Sequence, residues 1–203
     1  IGPLGSSREI DAAVRSAMQE AISIYAVDEE ALAQASPDVI VTQDLCEVCA
    51  VSLDDVRAAV SRLVGRSDVE VLSLTPTRLA DALGDIERVG VALGRLERAR
   101  EVRRTLEQRI EAIAERTRGL IRPRTVSVEW IEPLMLGGTW MPELIELAGG
   151  TPLGAEPGQH APTISVEQLG ELAPDVVLIK PCGFDIHRTM TELSVIESSV
   201  LRA

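Results

Sequence analysis

The sequence contains few aromatic side chains, few histidines and few cysteines, and each scarcity excludes a class of protein. Aromatic residues make up 2% of the 203 residues, so the core has to be built from aliphatic side chains. The two histidines lie far apart in the chain, which argues against a histidine-rich metal site and against a Ser-His-Asp triad. The three cysteines cannot form a disulfide framework. No apolar run approaches the roughly 18 residues that a membrane-spanning helix needs.

The charge balance is acidic, with 32 aspartates and glutamates against 20 lysines and arginines and a net charge of −12. Nucleic-acid-binding proteins normally have the opposite balance because they neutralise phosphates, so this class is set aside. The glycine-rich stretches match neither a dinucleotide fingerprint nor a phosphate-binding loop. Since no catalytic constellation is visible either, we predict that the protein is not an enzyme.

The hydrophobic periodicity predicts alternating helices and strands, and therefore an α/β fold. Helices are predicted over residues 7–22, 29–35, 53–64, 79–93, 96–119, 142–148 and 166–172. Strands are predicted over residues 38–42, 69–74, 124–131 and 175–179. The continuous apolar runs at 39–41 and 175–179 are typical of strands buried on both faces.

One segment of the sequence is echoed later in the chain. EALAQASPDVIV at residues 30–41 corresponds to EQLGELAPDVVL at residues 167–178, and a cysteine-bearing loop follows each. Between the two echoes, residues 95–124 contain ten arginines and five glutamates, which predicts a long exposed helix with ion pairs between successive turns. This order suggests two similar α/β lobes with the helix between them. Because open α/β sheets bind ligands at the carboxyl ends of their strands, the two echoing loops are expected to face a shared cleft.

Three cysteines lie in these loops. Cys46 and Cys49 form a C-x-x-C pair, which we interpret as packed or cleft-lining thiols, with a redox site or half of a zinc site as alternatives. Cys182 lies in a KPCGFD turn, where burial of the thiol and contact with a ligand are equally compatible with the sequence.

The residues around two tryptophans have two interpretations each. Trp130 and Trp140 flank a Gly-Gly loop at a strand end, a position more typical of a ligand platform than of a core. Glu129 and Glu132 beside them are interpreted as structural or polar lining residues. Lys180 is the single lysine of the sequence; we interpret it as a solvated loop residue, with a Schiff-base nucleophile as the alternative.

Several motifs in combination resemble one family of solute-binding proteins. They are SPDVIVTQ at 36–43, CEVCAVS at 46–52, EWIEP at 129–133, GTWMPE at 138–143, AGG at 148–150, PDVV at 174–177 and PCGFD at 181–185. Together they resemble the solute-binding proteins of ABC importers for cobalamin and ferric siderophores, in the cobalamin-binding branch. The resemblance extends over residues 7–185.

This resemblance implies two Rossmann-like lobes joined by a long rigid helix, with one ligand held in the cleft and no catalysis. The lobes are expected over residues 1–76 and 123–203 and the helical connector over residues 77–122. No cofactor or metal is implied, because cobalamin or another corrinoid is the transported ligand, with a ferric siderophore or haem as the alternative. The resemblance also implies an extracytoplasmic location and an ABC permease as partner. A cytoplasmic location stays open, since no signal segment is visible.

The resemblance assigns roles to residues by position. The ligand contacts are expected at the strand ends of both lobes, namely Gln43, Asp44, Cys46, Trp130, Trp140, Cys182, Phe184 and Asp185. Asp54 or Asp55 is expected to dock on the permease.

Two departures from the family pattern lie at the ends of the sequence. The opening strand of the family and its last strands and helix have no counterpart here. The chain is therefore interpreted either as a fragment or as a unit completed by another copy. The second alternative implies a homo-oligomer. A protein for thiol redox or metal handling, built on Cys46 and Cys49, is the alternative from another class.

Overall fold

The computed structural model describes residues 5–19, 27–45, 52–63 and 69–193 of the chain. The chain divides into two compact units. The amino-terminal unit comprises residues 14–76 and 80–107, and the carboxy-terminal unit comprises residues 1–13, 77–79 and 108–203. The contacts thus distribute the predicted connector over both units, and the predicted boundaries at 76 and 123 stay a prediction.

Over its described residues, the amino-terminal unit contains helices and a two-stranded parallel sheet. In chain order its elements are α1 (Ser7–Gln19, shared with the other unit), α2 (Glu29–Ala35), β1 (Val39–Gln43), α3 (Leu53–Leu63), β2 (Glu70–Leu74) and α4 (Leu79–Ala92). Strands β1 and β2 pair in register from Val39 opposite Glu70 to Gln43 opposite Leu74. Helix α2 begins where the Asp28 carboxylate accepts a hydrogen bond from the Ala31 amide at 2.9 Å, as its sequence predicts.

A single continuous helix, α5 (Leu96–Thr117, 22 residues), follows α4. Its residues up to 107 belong to the amino-terminal unit and its residues from 108 to the carboxy-terminal unit. Most of its arginines are exposed, and several pair with glutamates one turn away, for example Arg98 with Glu101 at 2.9 Å. The predicted long, arginine-rich exposed helix is therefore confirmed.

Helices α4 and α5 approach each other closely at one glycine. A Cβ atom on Gly90 would lie 2.3 Å from the Cβ atom of Ala99, and both residues are buried. Only the absence of a side chain at position 90 permits this contact.

The carboxy-terminal unit is built around one central strand. Its elements are β3 (Arg124–Trp130), β4 (Met135–Leu136), α6 (Met141–Leu147), β5 (Thr151–Pro152), α7 (Val166–Glu171), β6 (Val176–Ile179) and α8 (Ile186–Glu192). Strand β3 pairs parallel with β5 and β6 and antiparallel with β4. The core packs against β3 and consists of Val126, Val128, Ile131, Leu134, Leu136 and Leu169.

The sequence echo corresponds to one repeated backbone conformation. Ser36 and Ala173 end α2 and α7 in the left-handed region, with φ of 44° and 45°. Each lies directly before a Pro-Asp pair, after which β1 or β6 begins. Proline disfavours the right-handed helical conformation in the residue before it, so the same sequence signal ends the helix and starts the strand in both units.

The prediction that β1 and β6 are buried on both faces is wrong. Val41 in β1 is 45% exposed, and Val176 and Leu178 in β6 are 38% and 45% exposed. Among the described residues β1 has one strand neighbour and β6 pairs with β3 alone, so neither strand is central in its sheet. An apolar run therefore predicted a strand here but did not predict that the strand is buried.

Over the described ranges, no helix is long and apolar enough to cross a membrane.

Candidate functional site

Two neighbouring strand ends of the carboxy-terminal unit bring an aromatic pair together. Strand β6 runs parallel to β3, with Ile179 opposite Val128. Parallel neighbours end at the same edge of a sheet, so the residues that follow β6 lie beside the end of β3. Trp130 and Phe184 meet at this edge with ring centroids 5.3 Å apart and planes tilted by 57°. This geometry is typical of a favourable aromatic pair.

Backbone hydrogen bonds hold the turn that contains Phe184. The Lys180 amide donates to the Val128 carbonyl at 2.9 Å, and the Cys182 amide donates to the Glu129 carbonyl at 3.1 Å. These bonds continue the ladder between β3 and β6 past the end of β6. Gly183 has φ +75°, a conformation that other residues adopt only with strain, and it allows the chain to reverse before Phe184.

The first turn of α8 covers one face of the Phe184 ring. Asp185 caps this helix, and its carboxylate accepts a hydrogen bond from the Arg188 amide at 2.8 Å. The Arg188 guanidinium carbon lies 3.8 Å from the centroid of the Phe184 ring, a cation–π contact. The same guanidinium donates to the Gly5 carbonyl. Phe184 is thus held by Trp130 and Arg188 together.

Two glutamates flank Trp130 along the chain. Glu132 forms an ion pair with Arg8, and its carbonyl accepts a hydrogen bond from Trp130 Nε1 at 3.1 Å. The Glu129 carboxylate lies 3.9 Å from Lys180 Nζ. The side chain of Lys180 is 42% exposed, consistent with its interpretation as a solvated loop residue, and it also pairs with the half-buried Glu129 carboxylate.

Burial raises the pKa of Glu129 above its ordinary value. The Lys180 ammonium and a hydrogen bond from the Gly138 amide act against this rise, and they are weaker than the effect of burial. The edge around Trp130 and Phe184 thus contains three acids and three bases, namely Glu129, Glu132 and Asp185 with Lys180, Arg8 and Arg188.

Trp140 lies in the loop before α6. The Gly137 amide of this loop donates to the Ser127 carbonyl at 2.7 Å. A Cβ atom on Gly138 would lie 2.4 Å from the Ala161 amide nitrogen, so the loop is closely packed. Trp140 is half-buried, and no ring contact of Trp140 is found among the described residues. The two tryptophans therefore differ, since only Trp130 belongs to the aromatic pair.

The remaining predicted site residues lie in the amino-terminal unit. Gln43 is the last residue of β1, and Asp44 continues the pairing by donating its amide to the Leu74 carbonyl at 3.2 Å. Both side chains are exposed. Cys46 and Cys49 lie outside the described residues, so the structure does not test the C-x-x-C interpretations.

The two aspartates expected to dock on a permease lie in the first turn of α3. The Asp55 carboxylate accepts a hydrogen bond from the Ser52 hydroxyl at 2.7 Å. Asp54 is exposed. Their docking role stays a prediction.

Residues that hold metal ions do not gather in the described part of the chain. Within residues 5–19, 27–45, 52–63 and 69–193, no three His, Cys, Asp or Glu side chains converge on one point. Cys182 is exposed, so the interpretation of its thiol as buried in the turn is wrong.

Two residues of this edge were missed by sequence reasoning. Arg188 lies four residues after Phe184, a spacing that brings side chains together at the start of a helix and that was available as a signal. Arg8 lies 124 residues before its partner Glu132, so no local signal connects them.

A family model described as "Periplasmic binding protein" matches residues 6–199 of the chain. No curated protein sequence matches it.

Solved structures with the same fold include substrate-binding and periplasmic binding proteins of low sequence identity. An ABC transporter substrate-binding protein from Listeria monocytogenes superposes with a TM-score of 0.67 at 17% identity, covering 84% of this chain and 64% of that one. A periplasmic haem-binding protein from Pseudomonas aeruginosa gives 0.66 at 17% identity, covering 89% and 62%. The periplasmic vitamin B12-binding protein BtuF of Vibrio cholerae gives 0.55 at 18% identity, covering 86% and 67%. The chain thus spans less than two thirds of the length of the first two.

Proposed function

Because the chain belongs to the periplasmic binding protein family, we propose that it is an extracytoplasmic solute-binding protein that delivers cobalamin or a related corrinoid to an ABC importer. Proteins of this family bind transported ligands and have neither a catalytic reaction nor a resident cofactor. The proposal concerns the identity of the ligand, the location and the partner.

The observation that supports a corrinoid is the charge-balanced aromatic edge at Trp130 and Phe184. A corrin is a broad, largely apolar ring, and an indole beside it can bury apolar area worth roughly 25 cal/mol per Å². The periphery of a corrin bears amide groups without formal charge. A site with three acids and three bases around the aromatic pair suits such a periphery, because no excess positive charge is left for an anionic ligand.

Haem is the second candidate, and one specific observation favours it. The haem-binding protein from Pseudomonas aeruginosa superposes with a TM-score of 0.66, against 0.55 for the vitamin B12-binding protein of Vibrio cholerae. Haem has two propionates, which would have to be neutralised by basic side chains such as Lys180 and Arg188. At this edge both bases already contact protein groups, Glu129 and Phe184. A ferric siderophore, usually anionic as well, meets the same difficulty.

The position of the predicted site residues supports a proposal for which residues contact the ligand. Trp130 in β3 meets Phe184, which lies 54 residues later in the chain, and Cys182 and Asp185 lie in the same turn as Phe184. We propose these four residues as ligand contacts of the carboxy-terminal unit. Gln43 and Asp44 are proposed as contacts of the amino-terminal unit, and Asp54 as a contact of the permease, because its carboxylate is exposed in the first turn of α3.

A ligand panel with an optical readout tests the proposal. The purified protein is incubated with cyanocobalamin, cobinamide, hemin, ferric siderophores or Zn²⁺, and the retained ligand is measured after gel filtration from its visible spectrum, or by metal analysis for zinc. We expect one equivalent of cobalamin or cobinamide to be retained. Retention of hemin or a siderophore without any corrinoid would transfer the proposal to the second candidate. Stoichiometric zinc or a cycling dithiol would favour the protein class built on Cys46 and Cys49.

A further inference from the structure

The side chain of Glu129 has no part in the ligand contacts proposed above, although it lies beside them. It precedes Trp130 in β3, and its side chain is 26% exposed. On one side its carboxylate accepts a hydrogen bond from the Gly138 amide, in the loop at residues 137–140. On the other side it lies 3.9 Å from the Lys180 ammonium, in the turn at residues 180–185. One carboxylate therefore contacts two loops that are each hydrogen-bonded to β3 at a different residue.

We infer that Glu129 is a positioning residue of the ligand site, which joins the loop at 137–140 to the turn at 180–185 and so sets the spacing of the Trp130 and Phe184 rings. This inference rests on the proposed function for its ligand, while the geometry of the two loops is independent of that function.

Each of the two loops has its own backbone hydrogen bond to β3. The Gly137 amide donates to the Ser127 carbonyl at 2.7 Å, and the Lys180 amide donates to the Val128 carbonyl at 2.9 Å. These two bonds fix the start of each loop at β3. They do not connect one loop to the other. The Glu129 carboxylate supplies that connection.

Burying a charged carboxylate costs solvation free energy, so an apolar side chain would connect two loops more favourably if packing were the sole requirement. Burial raises the pKa of Glu129, so the folded protein disfavours the charged form in which the pairing with Lys180 is strongest. Charged groups held against their solvation preference are concentrated at functional sites. The carboxylate is therefore better explained by the ligand site than by stability.

Other charged groups of the surrounding elements pair with partners other than Glu129. Glu143 in α6 accepts hydrogen bonds from Arg78 Nε at 3.0 Å and from the Leu79 amide at 2.8 Å. Glu132 pairs with Arg8. In the turn itself, Asp185 caps α8 and Cys182 carries a thiol, while His187 lies in the first turn of α8 and His160 lies between the two residues that the loop at 137–140 contacts. Among the described residues, Lys180 is the base that forms an ion pair with Glu129.

The experiment uses a Trp140→Phe background, in which Trp130 is the single tryptophan. Emission is followed without ligand between about pH 4 and pH 8, and cyanocobalamin affinity is measured at neutral pH. Glu129→Gln removes the charge and keeps an oxygen that can accept from Gly138, whereas Glu129→Leu removes both. Glu171→Gln, an exposed carboxylate of α7, is the charge-matched control.

We expect a step in Trp130 emission centred above the ordinary glutamate pKa of about 4.3, because burial raises the pKa of Glu129. The step should be absent in Glu129→Gln, and in Lys180→Met it should move to higher pH, because a positive charge that favours the carboxylate is lost. Cyanocobalamin affinity should fall about threefold in Glu129→Gln and about tenfold in Glu129→Leu, and it should not change in Glu171→Gln.

The outcomes separate this inference from the proposed function. An emission step that disappears in Glu129→Gln, in a protein that binds no corrinoid, would support the positioning role and refute the proposed ligand. Tight corrinoid binding with no effect of either Glu129 variant would refute the positioning role alone. A step that persists in Glu129→Gln would also overturn it, since another group would then be responsible. Circular dichroism of each variant identifies any loss of affinity that is due to unfolding, and Glu129→Gln decides the case if Glu129→Leu does not fold.

Discussion

Replacing Phe184 by leucine removes the ring contacts of the proposed site while it keeps most of the apolar area. The ring contributes to two interactions, the tilted pair with Trp130 at 5.3 Å and the cation–π contact with Arg188 at 3.8 Å. An aromatic pair is worth about 0.5–1.5 kcal/mol beyond the area it buries, and a partly exposed cation–π contact about 0.5–1 kcal/mol. Together they hold the ring arrangement with about 1–2.5 kcal/mol.

Without these contacts Trp130 has to be ordered when the ligand binds, so the loss is expected in the affinity. A loss of about 1–2.5 kcal/mol corresponds to a cyanocobalamin affinity that is about 5-fold to 70-fold weaker. Isothermal titration calorimetry measures it, and urea denaturation checks that the variant is folded.

Ile186→Ala is the matched control for this variant. Ile186 lies two residues after Phe184 and is 84% exposed, so its truncation should leave affinity unchanged. Wild-type affinity in Phe184→Leu, or an equal loss in both variants, would refute the reasoning, because the ring contacts would then have no specific effect on binding.

Three further predictions concern packing, capping and the cysteines. Gly90→Ala should destabilise the protein by about 1–3 kcal/mol in urea denaturation, because the new Cβ atom would lie 2.3 Å from Ala99. Gly84→Ala in the same helix meets nothing within 4 Å and should stabilise by about 0.5–1 kcal/mol; equal effects of the two variants would contradict the close approach of α4 and α5. Ser165→Ala should cost about 1 kcal/mol of unfolding free energy, because it removes the hydroxyl of the capping box at α7, and an unchanged urea midpoint would argue against that cap. Replacing Cys46 and Cys49 together by serine should leave cyanocobalamin affinity within about tenfold and release no zinc, whereas a loss of bound zinc would support the metal-handling alternative.

Helix starts and the starts of β1 and β6 were predictable because their signals are local. Asp28 and Ser165 cap α2 and α7 with their own side chains, and each lies next to the helix that it starts. The Pro-Asp pairs that follow Ser36 and Ala173 likewise act on the residue directly before them. Such signals need no knowledge of the rest of the chain.

The exposure of β1 and β6 and the environment of Trp130 were not predictable in the same way. An apolar run in a strand gives no information on whether neighbouring strands and helices cover both faces, and Leu178 remains 45% exposed. The pairing of Glu132 with Arg8 joins residues that are 124 positions apart in the sequence. Long-range contacts of this kind depend on the assembled fold, so composition and periodicity do not determine them.

A tryptophan fluorescence titration with cyanocobalamin tests the central claim most directly. Trp130 lies in the aromatic pair at the strand edge proposed to bind the ligand, and Trp140 lies in the loop before α6. Corrinoids absorb light in the region where indole emits, so a bound corrinoid at this edge should quench nearly all of the emission at one equivalent. Phe184→Leu should need more ligand to reach the same quenching, because its affinity is lower. Quenching by hemin or a ferric siderophore with none by cyanocobalamin, or no quenching by any of them, would contradict the corrinoid site at Trp130 and Phe184.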